Sequence, residues 1–334
     1  MWVLRLLALT QTTSRESILF TEKHHVEFTA IPPYNFALSV RKPAGWWWST
    51  PTEVFENNTL WTTTRLDNRL YGLRLQGTGT SRKPVVACTV FSDKTLNETE
   101  KDYVSRTLER ALGVKEDLRD FYSMACKDDI LRKTVDDLHG MRTVAWPELF
   151  PALILAVTLQ MAPMKRSYQM MNLLIENFGE HITFDGKTIA HWPSPDKIVS
   201  LPVSELKEKA KLGYRALSLK CIAQALEKGF PTSEELAAMP PDDAKEQLMT
   251  LRGIGDYSAE IVMPGMRFPL DVWSAKIFSV LFHAKVPDKP RDAIAELKRL
   301  AEERWGRWRG HAFVYVLNDL QRISKRVGVD LTIF

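Results

Sequence analysis

The residues with the clearest chemical potential lie between positions 251 and 273. Two glycines, Gly253 and Gly255, flank one apolar residue, Ile254, and separate two segments with helical spacing. Glycine reaches backbone angles closed to other residues, and the amides of a turn that opens a helix point outward unpaired. Unpaired amides at the start of a helix form a binding site for a phosphate. The Gly-x-Gly pattern taken by itself, however, favours an ordinary turn without a ligand. Ile254 would fill the gap between the helices, and a lone carboxylate, Asp271, follows the second one.

The string from Leu251 to Ala259, followed by Pro269-Leu270-Asp271, resembles the helix-hairpin-helix, Gly-Pro-Asp (HhH-GPD) signature of the base-excision DNA glycosylase superfamily. The pattern is similar to its 3-methyladenine DNA glycosylase II and 8-oxoguanine DNA glycosylase branch, in an archaeal-type form. Further stretches within residues 115–325 resemble other parts of the family: Gly140–Arg142, Ile154–Gly179, Leu212–Ala216 and Trp308–Ala312. The resemblance implies that the partner is double-stranded DNA containing a damaged base.

Asp271 is the catalytic residue that the resemblance implies. Breaking an N-glycosidic bond builds positive charge on the sugar, and a fixed carboxylate can stabilise that charge and activate a water molecule. Aspartate before an apolar run is also a common helix N-cap. Both roles are compatible, because helix starts favour negative charge. The loop before Asp271 is shorter than in the well-known branches, and Pro264-Gly265 is expected to end the preceding helix early.

Tyr257 decides between two kinds of glycosylase. Bifunctional relatives carry a lysine at this position, and its amine forms a Schiff base with the sugar that leads to strand cleavage. A phenol cannot form an imine. Lys276 lies beyond Asp271 on the next helix and is no evident substitute. The resemblance therefore implies a monofunctional enzyme that removes a damaged purine, alkylated adenine or a related base, without AP-lyase activity.

Three alternatives stay open. A bifunctional 8-oxoguanine DNA glycosylase/AP lyase would share the fold and need a lysine nucleophile. A non-catalytic helix-hairpin-helix DNA-binding protein would use the hairpin alone. A nucleoside N-ribohydrolase would act on free nucleosides, which the hairpin disfavours because it suits polymer phosphate.

A base inside a duplex must be flipped out, and a side chain must fill the gap. The resemblance points to Gln160 and Met161 as the wedge, although a methionine in an apolar helix can equally be core. By position, the candidates for the base pocket are Tyr257, Trp273, Tyr315 and Asn318. The candidates for contacts between the hairpin and the DNA backbone are Arg252, Gly253, Ile254 and Gly255. The basic residues that could extend this contact are Lys165, Arg166, Lys207, Lys209, Lys211 and Arg215.

No cofactor is expected. Cys88, Cys126 and Cys221 are far apart, which excludes the four-thiolate iron–sulfur cluster of some relatives and indicates a reducing compartment. No histidine spacing suits zinc. In relatives the hairpin holds a monovalent cation through backbone carbonyls, here near Met249, Leu251 and Ile254, so a structural Na⁺ or K⁺ is a further expectation.

Composition is that of a soluble globular enzyme: 45% hydrophobic and 26% charged residues, with a net charge of +4. That charge permits nucleic-acid binding without demonstrating it. The first ten residues are apolar but interrupted by Arg5 and lack a cleavage site, so they suggest a strand or packed arm rather than a signal peptide. We expect a monomer in the cytoplasm, associated with the nucleoid.

The chain divides into two parts that differ in residue composition and in the spacing of apolar residues. Residues 1–95 predict an antiparallel β-rich domain, with strands at Val26–Thr29, Phe36–Val40, Leu60–Thr64, Leu70–Gln76 and Val85–Phe91. Residues 96–334 predict a two-lobed all-α core, with the hairpin at 246–263, the Asp271 loop at 264–273 and one long last helix at His311–Val327. The class is thus α+β and predominantly helical. The Trp46–Trp48 triple is expected to pack the sheet onto the core.

Overall fold

The computed structural model describes residues 17–41, 50–66, 68–80, 82–143, 147–263 and 267–333. The predicted N-terminal arm, the Trp46–Trp48 triple and the helix end at Pro264-Gly265 lie outside these ranges. The strands are β1 Ile18–Leu19, β2 Glu22–Thr29, β3 Glu53–Glu56, β4 Thr59–Leu66, β5 Arg69–Gly77, β6 Val85–Ser92, β7 Glu180–Phe184 and β8 Lys187–His191.

Helices make up most of the described chain, as predicted. They are α1 Phe36–Arg41, α2 Glu98–Ala111, α3 Arg119–Ala125, α4 Leu131–Asp137, α5 Leu149–Leu159, α6 Met164–Phe178, α7 Pro195–Ser200 and α8 Val203–Lys209, then α9 Arg215–Glu227, α10 Ser233–Ala238, α11 Pro241–Met249, α12 Asp256–Val262, α13 Val272–His283, α14 Pro290–Trp305, α15 Arg309–Asn318 and α16 Leu320–Val327. Within the described residues, no helix is both long and apolar enough to cross a membrane.

The N-terminal sheet is antiparallel, with strand order β2-β6-β5-β4-β3. One face buries Leu73, Leu75, Val86 and Val90, and α2 covers it with Val104, Leu108 and further apolar residues. The predicted α+β class, with an N-terminal antiparallel sheet ahead of a helical core, is confirmed. The predicted boundary at residue 95 stays a prediction, because α2 shares the core of the sheet.

The strand predicted at Phe36–Val40 is wrong, because these residues form α1. Asn35 starts the helix: its side-chain oxygen accepts the amide of Leu38 at 3.0 Å. Phe36 and Val40 are four residues apart and both buried, which is the spacing of one helix face.

A second, three-stranded sheet, β1-β7-β8, was not anticipated within the helical part. Its β-hairpin turns at Asp185-Gly186, where both residues have positive φ. This is a short-range turn signal that could have been read from the sequence. The two sheets pack face to face, and a Cβ on Gly72 would lie 2.6 Å from the Phe184 ring. The mid-chain hairpin is therefore part of the N-terminal architecture.

The helical part has two hydrophobic cores, which confirms the predicted two lobes. The first lobe is built from residues between 149 and 263, and includes α5, α6, α9, α11 and α12. The second lobe combines residues 118–141 with residues 268–331, and includes α13 to α16. The chain crosses from the first lobe to the second between Met263 and Phe268.

The last predicted helix is two helices, α15 and α16, because Asp319 interrupts it. Asp319 is buried, and its carboxylate accepts hydrogen bonds from Thr134 and Arg326. Asp319 has a φ of −105° and a ψ of 11°, which lies outside regular helical geometry.

The Gly140–Arg142 element joins the N-terminal part to the second lobe. Gly140 has a φ of +85°, and its carbonyl accepts the Asn35 amide at 2.7 Å. Arg142 is fully buried, donates to the Ile31 carbonyl at 2.8 Å and lies over the Tyr34 ring. This element is therefore structural here.

Candidate active site

The Gly-Ile-Gly turn joins α11 to α12, as predicted. Gly253 has a φ of +81°, and a Cβ there would lie 2.7 Å from the Ser218 hydroxyl, so glycine is required. Gly255 has an extended φ of −105°, and a Cβ there would meet nothing within 4 Å. The expectation of special backbone angles is therefore confirmed for Gly253 and wrong for Gly255. Ile254 is buried between the helices, as expected.

The start of α12 is open to solvent. Gly255 is its N-cap residue and makes no side-chain capping bond. Arg252, Gly253 and Asp256 around it are exposed. The uncapped helix start together with the exposed turn gives the geometry of an anion site.

Gln160 braces the hairpin from α5. Its amide nitrogen donates to the Gly253 carbonyl at 2.7 Å and to the Ser258 hydroxyl at 2.9 Å. Its own carbonyl accepts from Arg215. The side chain of Gln160 is thus engaged with the turn.

Met161 lies beyond the end of α5 and not in the core. Its φ is +47°, and 81% of the residue surface is exposed. An apolar side chain held in solvent by a left-handed backbone, next to the hairpin brace, has the form of a wedge. The wedge role itself stays a prediction.

Asp271 caps α13, so the capping interpretation is correct. Its Oδ1 atom accepts the Ser274 amide and the Ser274 hydroxyl, both at 2.7 Å. The Ser274 hydroxyl in turn accepts the Asp271 amide at 2.9 Å. These reciprocal bonds fix the carboxylate and fall on one of its two oxygens.

Tyr257 lies beside Asp271. Burial raises the pKa of the Tyr257 phenol most, and the charge and hydrogen-bonding capacity of the Asp271 carboxylate raise it further. Tyr257 therefore stays protonated and presents its hydroxyl to the carboxylate. This pairing joins the hairpin helix to the Asp271 loop; the sequence indicated that both residues lie near the sugar but gave no sign of a direct bond between them.

Two of the pocket candidates in the second lobe differ in their surroundings. Tyr315 is fully buried: its hydroxyl donates to the Met141 carbonyl at 2.7 Å and lies 3.2 Å from the Tyr122 hydroxyl. The prediction that Tyr315 lines a base pocket is therefore wrong, because it is a core residue. Asn318 is half-buried, and its amide donates to the Val314 carbonyl at 2.8 Å.

Trp273 is partly buried against the core of the second lobe. Its place two residues after Asp271 keeps it near the candidate site. Pocket roles for Trp273 and Asn318 stay predictions.

A cavity of about 450 Å³ lies at the far end of α12, where Val262 and Met263 face Leu149 and Ala152 of α5. Val262 is roughly 7.5 Å along the helix from Tyr257. Neither Tyr257 nor Asp271 is among the described residues that line this cavity. It is therefore separate from the candidate site.

Only some of the basic residues predicted to extend the DNA contact lie together on an exposed surface. Arg166 donates to the Lys211 carbonyl at 2.8 Å, which brings the start of α6 beside the α8–α9 turn. Lys165 and Lys211 are exposed there. Arg215 is buried instead, stacked on Tyr214 and bound to Gln160, so its guanidinium is not part of an exposed track.

Comparison with known sequences gives a DNA glycosylase and a probable N-glycosylase/DNA lyase as relatives. No protein-family model matches the chain. The DNA-3-methyladenine glycosylase of Bacillus subtilis is 25% identical over 243 residues, which cover 71% of this chain and 78% of that protein. A probable N-glycosylase/DNA lyase of Methanothermobacter thermautotrophicus is 25% identical over 195 residues, which cover 52% of this chain and 62% of that protein.

Solved structures share the fold. The 3-methyladenine DNA-glycosylase from Archaeoglobus fulgidus matches with a TM-score of 0.72 at 18% identity, over 90% of this chain and 99% of its own. Clostridium acetobutylicum 8-oxoguanine glycosylase/lyase, in complex with double-stranded DNA containing cytosine opposite 8-oxoG, matches with a TM-score of 0.65 at 17% identity. That match covers 91% of this chain and 98% of the other. The whole architecture, including the N-terminal sheet, is thus common to these proteins.

Proposed function

We propose that this chain, which is related to the HhH-GPD DNA glycosylases as its sequence predicted, hydrolyses the N-glycosidic bond of a flipped damaged purine in double-stranded DNA. The purine is alkylated adenine or a related base, and the DNA strand is left uncut. The observation that carries the proposal is the Tyr257–Asp271 pair beside the open hairpin. It sets a fixed carboxylate next to a residue that cannot form an imine.

Asp271 acts on the sugar in this proposal. Its Oδ1 atom is held by Ser274, which leaves Oδ2 for the substrate. As the bond to the base breaks, the carboxylate stabilises the cationic sugar and orients the attacking water. A preorganised group needs no reorganisation during the reaction, and the loss of one such group costs about 10²–10³-fold in rate.

Met161 and the hairpin act on the DNA. The amides around Gly253 and Gly255 receive a backbone phosphate, and Arg252 adds positive charge beside them. The open space at Gly255 lets the DNA backbone approach closely. Met161 enters the gap left by the extruded nucleotide, while Gln160 keeps the hairpin and the wedge in register.

The proposed hydrolysis needs water and no organic cofactor. Backbone carbonyls are suitable ligands for Na⁺ or K⁺. The Leu251 carbonyl accepts the Ile254 amide at 3.0 Å and keeps a second lone pair, which supports the proposal of a monovalent cation held by the carbonyls of Met249, Leu251 and Ile254. Such an ion would add positive charge at the phosphate site.

A bifunctional 8-oxoguanine glycosylase/lyase is the second candidate. It is favoured by the relative named a probable N-glycosylase/DNA lyase, and by the fold shared with an 8-oxoguanine glycosylase/lyase. It requires an amine that reaches the sugar, and Tyr257 stands at the position where such relatives carry one.

The test is a panel of duplexes, each with one lesion at a defined position, incubated with the protein and analysed with and without alkali. We expect cleavage only after alkali, with the largest yield on alkylated adenine. Cleavage without alkali, together with a covalent adduct after borohydride reduction, would support the bifunctional alternative. Duplex binding without any abasic product would support a non-catalytic DNA-binding protein.

A further inference from the structure

Four charged side chains form a closed network around α12. The Lys298 amine donates to Asp256 at 2.6 Å and to both oxygens of Glu260 at 3.0 Å. Lys245 pairs with the same two carboxylates, with Glu260 at 3.0 Å. Two positive and two negative groups thus share one site.

The two lysines reach this network from different lobes. Lys245 is on α11, which packs with α12 in the first lobe. Lys298 is on α14, which packs with α13 in the second lobe. The bonds of Lys298 therefore cross the lobe boundary, whereas those of Lys245 stay within one lobe.

The acids on α12 bracket Tyr257. Asp256 precedes it by one residue, and Glu260 follows it on the next turn. Tyr257 faces Asp271, which lies at the start of the second lobe. Lys298 thus bonds α12 to the second lobe at one acid before Tyr257 and at one acid after it in the chain.

The bonds of Lys298 to Asp256 and Glu260 are called the tie, and burial of Glu260 strengthens it. The Glu260 side chain is only 5% exposed, so its charge must be paired and is weakly screened by solvent. The contacts with Asp256 and Glu260 outweigh burial and raise the pKa of Lys245. Burial alone would raise the pKa of Asp256, but the two lysines outweigh it and lower that pKa. By contrast, Arg267 pairs across the same boundary with Asp242, whose side chain is 84% exposed, and such surface pairs contribute little.

We propose that Lys298 is a positioning residue for base excision: it sets the distance between the two lobes so that Tyr257 meets Asp271. The inference rests on the proposed function of that pair. A misplacement of about 1 Å at a reacting centre can cost roughly 10²-fold in rate. The expected effect of losing the tie is therefore on the chemical step and not on DNA affinity.

Lys298→Met and Lys245→Met are a matched pair for the test. Each removes one positive charge from the same two carboxylates, but only Lys298→Met removes a bond between the lobes. Excision is measured under single-turnover conditions with saturating protein, and duplex affinity is measured separately. We expect Lys298→Met to lower the excision rate by about tenfold or more with affinity within about threefold of wild type. Lys298→Arg should restore the rate, and Lys245→Met should remain close to wild type.

Equal losses in the two methionine variants would overturn the inference, because a shared charge effect would explain them. An unchanged excision rate in Lys298→Met would also overturn it.

A readout without DNA separates this inference from the proposed function. Hydrogen exchange of α12 and α13 is compared in the same variants, and the tie predicts faster exchange in Lys298→Met than in Lys245→Met. If wild-type protein excises no base from the panel, the proposed function fails. The exchange comparison then still decides the tie, and equal exchange in both variants would refute it.

Discussion

The phenol of Tyr257 and the carboxylate of Asp271 meet across the boundary between the two helical lobes. Asp271 is held from behind by Ser274, through bonds of 2.7 Å to one carboxylate oxygen. Tyr257 is held by the helix that opens at the glycine turn. The contact between Tyr257 and Asp271 therefore connects the hairpin, which is proposed to bind DNA, with the carboxylate, which is proposed to act on the sugar.

Asp271→Asn should separate catalysis from capping. Asparagine is as good an N-cap as aspartate, so the thermal midpoint should change little. It lacks the negative charge that stabilises the sugar cation, so excision should fall by about 10²–10³-fold while duplex binding is kept. Single-turnover excision, binding and thermal unfolding are measured together. Full activity in this variant would refute the proposed mechanism. Ser274→Ala is the control: it should cost roughly 1 kcal/mol of stability through the lost cap.

Tyr257→Lys should create the chemistry that the wild-type chain lacks. An amine beside Asp271 can attack the sugar and form a Schiff base. We expect borohydride to trap a covalent protein–DNA adduct with Tyr257→Lys, and none with wild type or with Tyr257→Met, which has similar length and no amine. A trapped adduct in the wild-type protein would point to another lysine and to the bifunctional alternative.

Gly253→Ala should lower thermal stability, whereas Gly255→Ala should lower DNA affinity. At Gly253 the left-handed backbone costs about 1–2 kcal/mol for an L-residue, and the new methyl group meets Ser218. This variant should unfold at a lower temperature. At Gly255 the methyl group enters open space, so stability should stay near that of wild type while DNA affinity falls, because the group occupies the path of the phosphate backbone. Unchanged affinity in Gly255→Ala would remove the hairpin from the DNA interface.

Met161→Ala should affect duplex substrates only. Because the side chain is exposed, its removal should leave stability unchanged. If the wedge stabilises the flipped state by about 1.4 kcal/mol, excision from duplex should fall by roughly tenfold. Excision of the same lesion from single-stranded DNA should not change, because that base needs no extrusion. Met164→Ala, an exposed methionine nearby, is the matched control, and an equal loss there would argue against a specific wedge.

Local features were predictable from the sequence. The glycine turn, the burial of Ile254 and the helix start at Asp271 all follow from short patterns of residue type. The two helical cores follow from the spacing of apolar residues. The error at Phe36–Val40 is also local: this segment of five residues is too short for its apolar pattern to distinguish a strand from a helix, and the cap at Asn35 favours the helix.

Long-range features were not predictable in the same way. The facing of Tyr257 and Asp271 and the tie of Lys298 to α12 join residues from different lobes, and no local pattern encodes such contacts. The place of Tyr315 in the core depends on Tyr122 and Met141, which are far away in sequence. Contacts of this kind set the geometry of the candidate site, and a pattern of neighbouring residues does not encode them.

The three-stranded sheet, β1-β7-β8, joins parts of the chain that are far apart in sequence. Strand β1 pairs with β7, and Phe184 from the mid-chain hairpin packs with Leu70 and Phe91. A fragment that began at residue 96 would keep this hairpin but lose the surface that covers it. The helical portion is therefore not a separable catalytic module: cut free, it would present bare aromatic and aliphatic side chains to water, and self-association would be the expected result.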